Sequence, residues 1–160
     1  GVLDCAWLRR EAATGLQQAA AWLNAHQPGL RLRVLDALRP QRVQEALYQE
    51  LEGTPLALYL AHPERGSIHS FGMAVDVTLL DAQGQELDMG SGFDEMDALS
   101  HPEFEAELLA QGRLTPAHVQ ARGWLRAAMR QAGFHPITTE WWHFDFGDRT
   151  QVRAQLPRVL

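Results

Sequence analysis

The stretch SIHSFGMAVDVTLL, residues 67–80, passes from a polar loop into a run of apolar residues. The second half has the composition of a buried β-strand, yet Asp76 stands in the middle of it. Burying an ionised carboxylate in an apolar layer is costly unless a partner compensates its charge. A paired arginine, a hydrogen-bond network or a metal ion would each provide that compensation, so the rest of the chain has to distinguish them.

Length and composition predict one globular domain over residues 1–160, with 46% hydrophobic and 21% charged residues. The net charge of −6 argues against a nucleic-acid partner. No apolar run reaches the roughly 18 residues needed to span a bilayer. Residues 1–12 carry charges where a leader would be apolar, although Gly1 also fits a chain whose leader was removed. Cys5 is the single cysteine, so no internal disulfide can form. Cysteine usage therefore does not distinguish a cytoplasmic from a periplasmic protein.

Apolar residues at helical spacing predict helices over residues 6–26, 39–53, 102–111 and 115–132. Apolar runs and alternation predict strands over residues 30–38, 73–80 and 138–146, and a short strand near Leu87. The Gly, Pro and Ser residues of 62–72 are typical of a loop. This order of elements favours an α+β fold with a mostly antiparallel central sheet flanked by helices.

A second cluster of ligand-type residues lies in EWWHFDF, residues 140–146. Two histidines and a carboxylate suffice for a catalytic zinc with a free fourth position, so His69, Asp76 and His143 form a candidate set. Glu140 is then available as a base that takes a proton from water. On a regular strand Glu140 and His143 would face opposite sides, so we expect a bend or bulge between them. The two tryptophans between them are expected to form a dry wall.

Purely structural roles compete with this interpretation. Asp76 can pair with Arg33, and Glu140 can cap a turn. The HEXXH zinc signature is absent. The remaining histidines fall in predicted loops or on polar helix faces, where no chemical role is expected: His26, His62, His101, His118 and His135.

The combination of His69-(six residues)-Asp76 with Glu140-Trp-Trp-His143 resembles the zinc motifs of the D-alanyl-D-alanine dipeptidases known from vancomycin resistance. These enzymes belong to the wider group of lysostaphin, D-Ala-D-Ala peptidase and hedgehog-type zinc folds. The resemblance therefore implies that fold, with a single zinc site. Three further stretches match along the chain: LDALRPQ (35–41), GSIHSFGMAVDVTL (66–79) and DMGSGFDEMD (88–97).

The resemblance implies zinc-dependent hydrolysis of D-alanyl-D-alanine or a similar small D,D-dipeptide. It assigns one zinc per chain to His69, Asp76 and His143, and the role of catalytic base to Glu140. Arg39 becomes the cation facing the scissile carbonyl, where a fixed charge stabilises the oxyanion. The dipeptide is the partner this implies, and no obligatory protein partner is evident.

Further positions match residues that grip the two termini of the substrate. Asp94 matches the partner of the ammonium group, and Ser67 also matches one of these positions. Apart from the family resemblance, Asp94 is explained equally well as a turn residue, and Asp36 as a solvated carboxylate at the end of a strand. Within the family pattern, three residues are expected to support the site from behind: Asp36, which would hold the Arg39 guanidinium, Trp141 and Trp142.

The chain also departs from the family pattern. Relatives carry an additional N-terminal segment that lines the pocket with a tyrosine, and we expect this chain to lack that segment or to complete the pocket differently. Phe71 stands where the vancomycin-resistance enzymes have an arginine, which leaves the fine substrate preference open. A D,D-carboxypeptidase or endopeptidase acting on peptidoglycan stems remains an alternative. So does a zinc-stabilised binding module, although a structural zinc requires neither Glu140 nor Arg39.

Overall fold

The computed structural model describes residues 6–160, with the side chain of Leu58 left out, so Gly1 and Cys5 lie outside the described residues. Its helices are α1 (Arg10–His26), α2 (Gln41–Leu51), α3 (Glu105–Ala110), α4 (Pro116–Gln131) and α5 (Arg149–Gln155). Its strands are β1 (Arg31–Asp36), β2 (Ala74–Leu80), β3 (Phe134–Pro136) and β4 (His143–Phe146). None of these helices is long and apolar enough to cross a membrane.

The four strands form one sheet in the order β1-β2-β4-β3, and every neighbouring pair is antiparallel. The predicted α+β fold with an antiparallel sheet is confirmed. Strand β2 lies inside the sheet and is buried over almost its whole length, which explains its continuous apolar sequence. Successive side chains of a strand point to opposite faces. Val75 and Val77 therefore join the apolar core, while Asp76 points to the other face.

Helices α1 and α4 pack against each other and, through β1 and β3, against the sheet. The buried residues of α1 include Ala12, Ala19 and Leu23, which recur at helical spacing. Gly15 allows α1 to lie close to Phe146 of β4, because a Cβ atom at position 15 would lie 2.6 Å from Cε2 of Phe146. This packing fills one side of the sheet and leaves the face of Asp76 to form a site.

The structure differs from the predicted elements at several places. The strand predicted over residues 138–146 is limited to β4, and only an isolated bridge between Leu80 and Glu86 occurs near Leu87. Neither β3 nor α5 was predicted, since β3 has three residues and ends in proline, and only Val152 is buried in α5.

Candidate metal centre and substrate cavity

Strand register brings the central residues of the site into one row. Asp36 on β1 lies opposite Asp76 on β2, and Asp76 lies opposite His143 on β4. Residues directly opposite each other in a sheet project to the same face. A register irregularity between Val34 and Asp36 places Asp36 in this row.

His69 reaches the same point from outside the sheet. It lies on a short 3-10 helix, Ile68–Phe71, which begins after Ser67 and ends at Gly72. Gly72 has φ 67°, a left-handed conformation that glycine adopts without strain, and it turns the chain directly into β2. This turn folds His69 back over Asp76, seven residues later in the chain.

Three ligand atoms converge at this point. His143 Nδ1 lies 3.0 Å from Asp76 Oδ1 and 3.1 Å from His69 Nε2, and His69 Nε2 lies 3.4 Å from Asp76 Oδ1. Tetrahedral zinc with bonds of about 2.0–2.1 Å would separate its ligand atoms by about 3.3 Å. Two imidazole nitrogens and one carboxylate oxygen are also a donor set typical of catalytic zinc. The three buried residues therefore fit a zinc ion in both chemistry and spacing.

The ring nitrogens that face away from this point have acceptors of their own. His69 donates from Nδ1 to the carbonyl of Ala37 at 2.6 Å, and His143 donates from Nε2 to Oδ1 of Asp145 at 2.9 Å. Each bond selects the tautomer whose other nitrogen has a free lone pair for a metal. Asp145 therefore belongs to the candidate site, and the sequence analysis missed it.

The electrostatics of the cluster favour a cation at its centre. Burial opposes protonation of His143, but the carboxylates of Asp145 and Asp76 raise its pKa to about 10. The pKa of Asp76 is held far below its usual range despite burial, because His69 and His143 stabilise the ionised carboxylate. Asp76 is therefore an anion in an apolar layer with cationic or metal-binding neighbours.

Glu140 lies beside the cluster without being one of its three convergent residues. Its Oε2 is 4.0 Å from His143 Nδ1, and the residue is 9% exposed. Residues 141–142 form a bend ahead of β4, as expected, and this bend turns Glu140 to the side of His143. Burial, together with the charge of Asp76, raises the pKa of Glu140.

Arg39 is fixed on the other side of Asp76. Its Nε and Nη2 donate to Oδ2 of Asp36 at 3.0 and 2.6 Å, and Nη2 lies 3.6 Å from Oδ2 of Asp76. Nη1 donates to Oε1 of Gln44, a fully buried residue of α2 that the sequence analysis did not identify. Asp36 thus holds the guanidinium from behind, as predicted.

The cluster opens into a cavity of about 440 Å³. Glu140, Arg39, Ser67 and Asp94 all line it, so the structure brings together every residue that was assigned to chemistry or to substrate. Tyr59 also lines the cavity, and its hydroxyl lies 3.0 Å from Nε2 of His101. A tyrosine is therefore present in this wall of the cavity.

Asp94 stands on the loop between β2 and α3. It has φ 59°, a left-handed conformation that Asp and Asn tolerate better than most residues, and its side chain is exposed at the cavity. Partial burial and the nearby Asp76 raise its pKa. Arg122 of α4 fixes this loop from below, because it donates to the carbonyls of Met89 and Leu99 at 2.7 and 2.8 Å.

The two tryptophans lie under the same loop, and in the part of the chain that the structure describes neither lines the cavity. Trp141 donates from Nε1 to Oγ of Ser91 at 3.0 Å. Trp142 packs edge-on against Phe93, with ring centroids 5.6 Å apart. They contact the loop of Asp94, and they do not form the dry wall that was expected.

The competing structural roles are not realised for Asp76. Arg33 pairs with Glu86 at 3.5 Å, and the arginine near Asp76 is Arg39. Four of the other histidines have side-chain contacts away from the cluster, namely His26, His62, His101 and His118, and His135 is exposed on β3. His118, for example, takes part in the capping box that begins α4.

The chain is similar in sequence to known proteins. A family model described as D-ala-D-ala dipeptidase matches residues 5–159. The chain is 39% identical over 138 residues to a D-alanyl-D-alanine dipeptidase of Escherichia coli, which covers 86% of this chain and 65% of the relative. It is 31% identical over 172 residues to a D-alanyl-D-alanine dipeptidase of Synechocystis, covering 89% and 70%.

The fold is also similar to a solved structure, the LdcB LD-carboxypeptidase. The TM-score is 0.55 at 18% identity, and the match covers 96% of this chain and 65% of that one. At this identity the likeness concerns the fold alone.

Proposed function

The chain belongs to the D-ala-D-ala dipeptidase family of peptidases, and we propose that it is a zinc-dependent dipeptidase acting on D-alanyl-D-alanine or a similar small D,D-dipeptide. The motifs of the sequence had predicted this family. The chain spans about 65% of the length of its E. coli relative, so the proposed activity rests on the chain's own residues. The observation that carries the proposal is the convergence of three donor atoms beside Glu140 and Arg39 in one cavity.

His69, Asp76 and His143 would hold one zinc per chain through Nε2, Oδ1 and Nδ1. A zinc ion bound there supplies a Lewis acid that polarises the scissile carbonyl and lowers the pKa of water. The carbonyl of Ala37 and the carboxylate of Asp145 keep the two imidazoles in the tautomers that this requires.

Glu140 is the proposed general base. Its position beside His143, without contributing to the convergent set, leaves its carboxylate free to accept a proton from the attacking water. The same carboxyl group then delivers that proton to the leaving amine as the C–N bond breaks. Burial raises the pKa of Glu140 towards the working range of a group that must both accept and donate.

Arg39 is proposed to stabilise the oxyanion that develops on the scissile carbonyl. The guanidinium is already oriented by Asp36 and Gln44, so little reorganisation is needed when charge develops. A lysine could not reproduce this arrangement, because the contacts to Asp36 and Gln44 use three separate nitrogens.

Asp94 is proposed to bind the substrate ammonium, and Ser67 to contact the other terminus. Both line the cavity together with the metal cluster, so a dipeptide can reach all three at once. Asp94 is electrostatically coupled to Asp76 and Arg39, which supports its placement close to the reacting bond.

A hydrolysis panel tests the proposed function. Zinc-loaded protein is incubated with D-Ala-D-Ala, L-Ala-D-Ala, L-Ala-L-Ala and a pentapeptide stem that ends in D-Ala-D-Ala, and release of alanine is measured. We expect D-Ala-D-Ala to have the highest kcat/KM. Preferred cleavage of the pentapeptide would replace the dipeptidase with a D,D-carboxypeptidase, and no cleavage of any peptide would favour a binding module.

A further inference from the structure

One wall of the cavity carries three arginines for which the proposed mechanism has no role. We call Arg65, Arg149 and Arg153 the arginine wall. Arg149 and Arg153 lie on α5, and Arg65 lies two residues before Ser67. All three line the same cavity as the metal cluster. Helix α5 was not predicted from the sequence, so the arginine wall is visible only in the structure.

The positive charge of the arginine wall is mostly uncompensated. Arg149 pairs through Nε with Asp145, which also accepts from His143. Within residues 6–160, no carboxylate forms an ion pair with Arg65 or Arg153. Three guanidinium groups therefore face a single carboxylate, and two positive charges remain beside the cavity.

Backbone carbonyls hold Arg153 in place without neutralising it. Its Nε and Nη2 donate to the carbonyl of Gly66 at 3.3 and 3.2 Å, and its second terminal nitrogen has no such partner in the described chain. A carbonyl orients a guanidinium but carries no net charge. Burial, and then the charges of Arg65 and Arg149, lower the pKa of Arg153, as expected for cations that repel one another.

The arginine wall and Asp94 occupy different parts of the cavity. The charges that act on Asp94 include Arg39 and Asp36, which pair with each other at the end of β1. The arginine wall adjoins Asp145, which lies on β4, across β2 from β1. A dipeptide whose ammonium meets Asp94 and whose scissile bond lies at the cluster would extend its leaving residue towards the arginine wall.

A dipeptide with a neutral leaving residue brings only its terminal carboxylate to this wall. That carboxylate compensates one of the two remaining positive charges, and an acidic side chain on the same residue would compensate the other. A volume of about 440 Å³ lies within the range of pockets that hold ligands much larger than two alanines. The cavity therefore has room for such a side chain.

We infer that the arginine wall is an anion subsite for the leaving residue, and that the enzyme prefers D,D-dipeptides whose C-terminal residue has an acidic side chain over their neutral isosteres. This inference rests on the proposed function for its orientation of the substrate. The recognition is by guanidinium–carboxylate hydrogen bonds, which are stronger than those between neutral groups.

The test compares D-Ala-D-Glu with D-Ala-D-Gln, which have nearly the same size and shape and differ in charge. In the wild-type protein we expect kcat/KM to be about 10- to 100-fold higher for D-Ala-D-Glu, the effect of one charge-assisted hydrogen bond. Arg153→Gln should bring this ratio close to unity. Arg33→Gln is the matched control, because Arg33 pairs with Glu86 outside the cavity, and it should leave the ratio unchanged.

Arg65→Gln guards against a folding defect in the first variant. Arg65 is exposed and makes no hydrogen bond within the described residues, so the fold does not depend on it. We expect this variant also to lower the ratio. Equal kcat/KM for the two dipeptides in the wild-type protein, or an equal loss for both in Arg153→Gln and Arg65→Gln, would overturn the inference.

Failure of the proposed function would be visible separately, as absence of hydrolysis of D-Ala-D-Ala itself. In that event calorimetric titration of the zinc-loaded protein with the same two dipeptides still tests the subsite. Tighter binding of D-Ala-D-Glu that Arg153→Gln abolishes would support it. Equal binding, or binding of neither dipeptide, would reject it.

Discussion

The Nε2 atom of His143 lies 2.9 Å from Oδ1 of Asp145, two residues further along the same strand. Alternation along β4 places both side chains on the face of the metal cluster. Asp145 also pairs with Arg149, so its carboxylate is fixed from both sides. The metal-facing orientation of His143 is therefore built into β4 and the start of α5.

This relationship predicts the effect of Asp145→Asn on zinc affinity. The amide can still occupy the space, but it no longer enforces a donating Nε2 or increases the basicity of the imidazole. Zinc affinity, measured by competition with a chromophoric chelator, should fall about 10- to 100-fold. The control is Asp148→Asn, because Asp148 caps α5 and asparagine caps a helix equally well. Unchanged affinity in Asp145→Asn would remove Asp145 from the site.

Glu140 and His143 should behave differently when they are replaced. Glu140→Gln should retain one zinc per chain while kcat falls by about two to four orders of magnitude, because it removes the base and no ligand. His143→Ala should lose zinc and activity together, since it removes one of three donor atoms. Metal content by mass spectrometry and turnover are measured on the same preparations. Loss of zinc from Glu140→Gln would mean that ligand and base are wrongly assigned.

The proposed role of Asp94 predicts that the enzyme requires a free ammonium group on its substrate. N-acetyl-D-Ala-D-Ala should have a kcat/KM about 10- to 100-fold below that of D-Ala-D-Ala, the loss of one hydrogen bond to a charged group. Asp94→Asn should reduce this difference. Asparagine is the suitable replacement, because the left-handed backbone at position 94 strains most other residues. Equal rates on both substrates would instead indicate an open-ended cleft.

Replacement of Arg122 is expected to lower the stability of the protein strongly. Arg122→Met keeps much of the side-chain volume but leaves the carbonyls of Met89 and Leu99 and the charge of Glu105 without this partner. We expect the free energy of unfolding in urea to fall by about 3–5 kcal/mol, as for a broken buried ion-pair network. Arg130→Met, on the exposed face of the same helix, should change it by less than about 0.5 kcal/mol. A similar small change in Arg122→Met would show that the loop of Asp94 is held by other contacts.

Much of the site could be predicted from the sequence, because its residues are close together in the chain or are unusual for the segment in which they stand. Asp76 is conspicuous as a charge within an apolar strand, and the three-residue spacing of Glu140 and His143 required a bend that the structure contains. Asp145 was missed although the alternation of His143, Phe144 and Asp145 places it beside the ligand.

Other parts of the site were beyond the reach of local patterns. Gln44 meets Arg39 only because α2 packs there, and its helix gives no sign of a polar contact. The arginine wall brings Arg65 next to Arg149 and Arg153, which lie at least 84 positions later in the chain. Both later arginines lie on α5, a helix with one buried side chain. Tertiary packing alone determines which of these charges face the cavity.

A zinc titration of D-Ala-D-Ala hydrolysis is the decisive experiment for a zinc dipeptidase. The protein is stripped of metal with a chelator, dialysed, and assayed for release of D-alanine as zinc is added. The three convergent donors predict no turnover without metal and full activity at about one zinc per chain, with no recovery in His143→Ala. Full activity in the metal-free protein, or no hydrolysis at one zinc per chain, would contradict a zinc dipeptidase.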